Sequence, residues 1–434
     1  MRFYNINDKQ ETVSFRKAVL QGAAGGNGLY FPSALPVKDE AFFEEIDRFG
    51  FTDLATEVLY DFVREDFARK ELQDICGRAF NFSLPLVPVD GHIYSLELFH
   101  GPSLAFKDVG ARFLAEVLKK IAEKEDHQIT VLVATSGDTG SAVAKSFYNV
   151  DGIRVVLLYP SGKVSRLQEK TLTTLGGNIT AVEVQGTFDD CQKMVKRAFA
   201  DRQAFGEKVL TSANSINVGR LLPQMVYYFW AFRQLEQERR RNVIFSVPSG
   251  NYGNLSAGVM AWKMGLPVKR FVAASNVNRV VPDYLETGQY TPRSAVRTYS
   301  NAMDVGDPSN FIRIREMFGD DHKRLSGLIH WDVADDQQTK VAIGEVHKKT
   351  GYTLDPHGAI GYLGCRHHLR EGEAGIFLET AHPAKFMDVV EDAIGKNIDL
   401  PAYLKDIQTR EKKAVQMPAD YHEFRSWLLR QFEA

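Results

Sequence analysis

The sequence predicts an α/β fold with parallel sheets, on three observations. From about residue 129 onward, short apolar runs rich in β-branched residues alternate with segments of helical period. The runs are apolar on both faces, as strands are when helices cover both sides of a sheet. Each ends in a polar or glycine-bearing turn leading into a helix, the crossover that parallel strands need.

In chain order, residues 1–95 read as a separate N-terminal domain. It has aromatic-rich helical stretches, loops such as "GGNGLYFPSALP" (25–36), and an end near "PLVPVDGHIYSLELF". Residues 96–434 read as two α/β subdomains. "FHGPSLAFKDVGARF" (99–113) turns through Gly-Pro into a helix. "ITVLVATS" (129–136), "IRVVLLYP" (153–160) and "NITAVEVQG" (178–186) read as strands, each followed by a helical stretch. In "FDDCQKMVKRAFA", Phe188, Cys191, Met194, Val195, Ala198 and Phe199 share one helical face. "NVIFSVPSGNYGN" (242–254), "VKRFVAASN" (268–276) and "AGIFLET" (374–380) complete the strand series. Residues 282–340 carry turns and charge with weak periodicity, and read as an insertion between sheet elements.

The chain has 434 residues, enough for two or three domains with their own cores. Its 44% apolar and 25% charged content matches globular proteins and excludes disordered or disulfide-dense classes. A formal charge of −2 provides no field for nucleic acid or anionic lipid. Cys76, Cys191 and Cys365 are widely spaced without a CxxC, and the histidines show no metal-ligand spacing. The N-terminus lacks a secretory pattern, and apolar runs such as "VVLLY" fall far short of the ~20 residues that span a bilayer. The expectation is a soluble, cytoplasmic protein with no metal.

Lys107 sits between Phe106 and a helix start. An apolar setting makes a charged amine costly and so favours a nucleophilic lysine, against the alternative of an ordinary surface lysine. "PSGNYGN" (248–254) follows a strand and opens a helix, so Gly250 and Gly253 let backbone N–H groups converge on an anion at the helix dipole's positive end. It is neither a Walker A loop nor GxGxxG, which favours a single phosphate; a ligand-free tight turn is the alternative. "TSGDTG" (135–140) repeats the arrangement. "SANSINVGR" (212–220) offers Asn214, Ser215 and Arg220 for phosphate, or else an N-cap cluster beside a surface arginine.

Together, "FHGPSLAFKD", "TSGDTG", "SANSINVGR", "SGNYGN" and "TAHPAKF" resemble the threonine synthase family, in its longer branch with an extra N-terminal domain. The resemblance runs from "GLYFP" (28–32) to "TAHPAKF" (380–386). It implies a pyridoxal 5'-phosphate (PLP) fold related to the tryptophan synthase β subunit, with the cofactor between two α/β domains. On this chain it implies that Lys107 carries PLP as a Schiff base and serves as the catalytic base. Gly250, Asn251, Tyr252 and Gly253 would hold the PLP phosphate, with Thr380 at the pyridine nitrogen. Asp138 would lie beside the cofactor, where many relatives across the wider family carry Asn.

The implied substrate is O-phospho-L-homoserine. Ser136, Gly137 and Thr139 would grip its α-carboxylate, while Asn214, Ser215 and Arg220, with help from Lys163 or Asn251, would take its phosphate. The implied reaction eliminates phosphate across Cβ and Cγ and adds water at Cβ, giving L-threonine. Two alternatives stay open: a phospho-lyase on the same scaffold giving a 2-oxo acid, and a non-catalytic binder of phosphorylated metabolites. No nucleic-acid or membrane partner is expected. A monomer is the working expectation, although the residues do not fix oligomeric state.

Overall fold

A computed structural model describes residues 1–433 apart from 126, 127, 136 and 207, and gives backbone alone at 27, 138, 202 and 433. A six-stranded sheet runs in the order Ile329–Val333, Val268–Ser275, Val243–Pro248, Ala374–Glu379, Ile93–Glu97, Leu86–Asp90. It is parallel except for the closing pair of Leu86–Asp90 with Ile93–Glu97. A second sheet, parallel throughout, runs Val415–Pro418, Ile179–Gln185, Ile153–Pro160, Ile129–Ala134, Val209–Ser212. An antiparallel ribbon of Asp8–Ser14, Arg2–Asn5 and Tyr30–Pro32 lies near the N-terminus.

The central strands bear out the two-faced apolar reading. Every residue of Ile129–Ala134, Val243–Pro248 and Ala374–Glu379 is buried. Each large aliphatic side chain so enclosed contributes about 1.5–3 kcal/mol relative to exposure. The helix Phe188–Ala200 buries Cys191, Met194, Val195 and Ala198, and leaves Phe188 and Phe199 half-buried on the same face. The three cysteines are buried and unpaired.

The structure also adds what periodicity did not show. The expected boundary at 95 falls inside Ile93–Glu97, which pairs in parallel with Ala374–Glu379, so the large sheet already begins at Leu86. The 282–340 stretch is more than an insertion. Its "IHWDV" segment, Ile329–Val333, forms an edge strand on Val268–Ser275. An edge strand has one paired side and needs no long apolar run, and His330 and Asp332 break the pattern that marks central strands. The short edge strands Val209–Ser212 and Val415–Pro418 escaped for the same reason.

Both parallel sheets bring carboxyl ends of strands to one cleft, which Thr135, Ser212, Pro248 and Thr380 line. The opposite end of the six-stranded sheet is locked by ions. Arg270 donates to both carboxylate oxygens of Glu373, one at 2.8 Å, and Lys269 reaches Glu373 at 2.9 Å. Ile244 pairs with Arg270, and Val243 with Ala374, so this pair spans the start of the Val243–Pro248 strand. Burial pushes the Glu373 carboxyl up, but hydrogen bonds from Arg270 and Lys269 outweigh it and bring it down to about 2. A carboxyl depressed by folding stabilises the native state fully above its unfolded value of 4.5, and that contribution is lost as pH falls towards 2. Glu373→Gln, which strands Arg270, should cost about 3–5 kcal/mol in urea unfolding at pH 7. The gap from the parent chain should shrink as the pH of the titration is lowered below 4.5.

Candidate active site

Lys107 opens the helix Lys107–Glu125, and the loop before it is stitched to the end of the Ala374–Glu379 strand. Phe106 N–H donates to the Thr380 carbonyl at 2.9 Å, and His382 N–H donates to the Leu104 carbonyl at 3.0 Å. Ala105 and Ala381 form an isolated antiparallel bridge. The Tyr227 hydroxyl donates to the Phe106 carbonyl. Asp108, fully buried, accepts from Ser103 N–H at 2.8 Å, and burial pushes its carboxyl up to about 6. A Cβ on Gly101 would sit 2.4 Å from an Asp108 oxygen, which accounts for glycine in the Gly-Pro turn. The result is a half-buried Lys107 lining the cleft, its Nζ 4.7 Å from the Phe106 ring centroid, with Thr380 beside it in the hydrogen-bonded chain.

The loop after Val243–Pro248 supplies an anion cradle. Tyr252 is left-handed at φ 60° and caps the helix Gly253–Lys263 without a side-chain hydrogen bond. Such a conformation costs a non-glycine residue roughly 1–2 kcal/mol. It is held by the Tyr252 hydroxyl on Ser275 Oγ at 2.8 Å and an edge contact with Phe311. Among the described residues, the backbone N–H groups of Gly250, Asn251, Tyr252 and Gly253 have no hydrogen-bond acceptor. All four residues line the cleft. Consecutive N–H groups without acceptors at a helix start, in a cleft that Lys107 also lines, suit a phosphate-bearing aldehyde such as PLP. The Thr380 hydroxyl, in the same cleft, has no partner among the described residues.

Other expected residues fall in the same cleft. Thr139, Lys163, Asn214, Ser215 and Arg220 all line it, and Lys163 is exposed. Asn214 donates to the Ala134 carbonyl at 3.1 Å and thereby ties the 212–217 loop to the neighbouring strand. Arg220 differs from the expected open fork. It is 3% exposed, one terminal nitrogen is committed to the Ala213 carbonyl, and Nε is enclosed without a partner. Burial lowers its guanidinium to about 10. Gly137 (φ 145°) is not among the cleft-lining residues; a Cβ there would strike Gln168, which is one of them. Ser136 lies outside the described residues, as does the side chain of Asp138.

Sequence reasoning missed the groups behind the cradle. Asp355 caps the helix Pro356–His368, bonds His357 Nδ1, and its N–H donates to Glu379 Oε1 at 2.6 Å. His357 Nε2 accepts from Ala302 N–H at 3.2 Å, and the Ala302 carbonyl lies where a Gly250 Cβ would come within 2.5 Å. Burial, reinforced by Asp355, raises the Glu379 carboxyl well above the usual carboxylate range. "DPHG" (355–358) has the cap-then-proline form of a helix start, the one signal that could have flagged it. The cleft as a whole, about 2180 Å³, has ample room for a cofactor and an amino-acid substrate.

Known proteins share this arrangement. Residues 84–378 match the model for pyridoxal-phosphate dependent enzymes, residues 2–80 that for the threonine synthase N terminus, and residues 358–427 that for the threonine synthase C-terminal region. Threonine synthase from Escherichia coli K12 is 44% identical over 429 residues, covering 99% of each chain. The chain belongs to the threonine synthase family. The crystal structure of threonine synthase from E. coli superposes at a TM-score of 0.93 over 99% of this chain and 100% of that one. The X-ray structure of PLP-bound threonine synthase from Brucella melitensis gives the same TM-score at 32% identity, covering all of both chains. The yeast threonine synthase is 33% identical over 474 residues, 93% of this chain and 92% of its own. For a threonine synthase, the expectation that Gly250, Asn251, Tyr252 and Gly253 hold the cofactor phosphate can be tested at the glycine. Gly250→Ala must displace the Ala302 backbone, so it should lower PLP retention at least about tenfold, read as protein-bound visible absorbance after dialysis.

Proposed function

We propose that this chain converts O-phospho-L-homoserine and water to L-threonine and phosphate, with Lys107 as the catalytic amine. The observation that carries this reading is the convergence in one cleft of Lys107, the unsatisfied 250–253 amides, the Thr380 hydroxyl and the Asn214, Ser215, Arg220 and Lys163 set. When bound, PLP supplies an electron sink that makes hydrogens at substrate Cα and Cβ removable.

The residues divide the remaining work. Gly250, Asn251, Tyr252 and Gly253 hold the cofactor phosphate through backbone N–H groups. Thr380 offers a neutral hydroxyl, which does not impose a proton on a ring nitrogen as a carboxylic acid would, so proton placement falls chiefly to the Lys107 amine. Lys107 would hold the cofactor through that amine, which would also take the proton from Cα and return protons later, a role that general acid–base groups fill with about 10²- to 10⁴-fold effect. Its position is fixed by the Thr380–Phe106 and Leu104–His382 hydrogen bonds, so the proton is met at one place.

Ser136, Gly137 and Thr139 are assigned to the α-carboxylate end, and Asp138 to the cofactor. Asn214, Ser215, Arg220 and Lys163 are assigned to the phosphate, where positive charge and N–H donors favour departure from Cγ. The division into an N-terminal unit and a catalytic region is retained, with strands 86–97 assigned to the catalytic region. A cytoplasmic monomer acting on small molecules completes the proposal. No helix among the described residues is long and apolar enough to cross a membrane.

Lys107→Ala should abolish both the visible absorbance of bound cofactor and nearly all phosphate release, with the fold intact by circular dichroism. Product analysis of the parent enzyme should find threonine; 2-oxobutyrate in its place would make this a phospho-lyase.

A further inference from the structure

Behind Ser215 lies a buried chain of donors. Arg313 is 0% exposed, and among the described residues its partners are carbonyls and one amide oxygen, with no carboxylate. It donates to the carbonyls of Tyr30 at 3.0 Å, Ile216 at 2.7 Å and Ser215 at 3.3 Å, and to Asn310 Oδ1. An arginine can only donate, so this bond fixes which way the Asn310 amide points. Its nitrogen then donates to Ser215 Oγ at 3.1 Å.

A second amide is set by the same logic. Ser309 N–H donates to Asn251 Oδ1 at 2.8 Å, leaving the Asn251 nitrogen to donate to Ser215 Oγ at 3.4 Å. A serine hydroxyl has two lone pairs and one hydrogen. Both lone pairs of Ser215 are taken by amides whose orientation is dictated by pure donors. The hydroxyl hydrogen has no acceptor among the described residues, and Ser215 lines the cleft. Asn310 is fully buried and is not among the cleft-lining residues.

We propose that Arg313 and Asn310 are positioning residues that make the Ser215 hydroxyl an obligate hydrogen-bond donor to a phosphate oxygen in the cleft. The buried guanidinium, with only dipoles for company, adds a fixed positive field behind that donor. The phosphate belongs to the substrate or to the cofactor, since Ser215 is part of the 212–220 loop and its Cβ lies 3.9 Å from where a Gly253 Cβ would stand. The inference rests on the reading of the cleft given under Proposed function, and extends its anion site to residues that never touch a ligand.

Asn310→Asp tests it. The carboxylate keeps an acceptor for Arg313, so the fold has a substitute partner, but it replaces the N–H facing Ser215 with a second acceptor that captures the hydroxyl hydrogen. Two readouts on the purified holoenzyme separate the sources: calorimetric binding of inorganic phosphate, and the rate of PLP loss on dialysis. One of them should worsen about tenfold, phosphate affinity if the donor serves the substrate or PLP retention if it serves the cofactor. Ser215→Ala should show the same selective loss, and the double variant should be no worse than the more affected single one. Binding of L-threonine, which has no phosphate, should stay within twofold. Unchanged phosphate and PLP binding, additive losses in the double variant, or a parallel loss of threonine binding would each overturn the relay. A parent enzyme that fails to make threonine would instead refute the proposed reaction, and leave the phosphate measurements to decide the relay separately.

Discussion

The bridge between Ala105 and Ala381 is the contact on which the site depends. It joins residues far apart in the chain by a pair of backbone hydrogen bonds, Phe106 to Thr380 and His382 to Leu104. Backbone bonds of this kind leave little rotational freedom, so the first residue of the next helix, Lys107, is set relative to the strand end that carries Thr380. A side-chain tether would be looser, because each rotatable bond adds conformers that must be frozen out. The backbones of Lys107 and Thr380 are thereby placed relative to one another by the main chain.

Around that fixed point the fold leaves selected polar groups unsatisfied, against the general tendency to pair everything buried. An unpaired buried donor costs about 1–3 kcal/mol. Among the described residues, the 250–253 amides, Arg220 Nε and the Ser215 hydroxyl hydrogen all lack acceptors, and all belong to residues lining one cleft. The compensation is visible nearby. Tyr252 is held left-handed by Ser275 and Phe311, the Ala302 backbone is fixed by the Asp355–His357 pair, and Arg313 satisfies three carbonyls from two segments far apart in the chain. Strain and unpaired donors collect at this cleft, and rigid packing elsewhere sustains them.

Much of the site was legible because its residues stand at the ends of strongly apolar runs. Gly250 and Gly253 follow a wholly buried strand and Thr380 ends another, so local pattern marked them as residues at carboxyl ends of strands, while Asn214, Ser215 and Arg220 stood out only as a polar cluster before an apolar helix. Asn310, Arg313, Asp355 and His357 gave no comparable signal. They act through partners distant in sequence, and residue type at one position carries no record of such a partner. Arg313 shows this plainly: in "NFIRIREMF" it reads as a solvated charge on a helix, whereas the fold encloses it entirely.

The sequence by itself determined the parallel α/β class, most of the central strands and the loops that bear the chemistry, because burial on both faces and turn formation are local demands written into neighbouring residues. Only the tertiary structure decided that the large sheet begins at Leu86, that Ile329–Val333 completes its edge, and how deeply Arg220 is buried. Those outcomes depend on which strands find one another and on which carbonyls surround a guanidinium after folding. Such pairings are set by the summed packing of remote segments, and no short stretch of chain contains them.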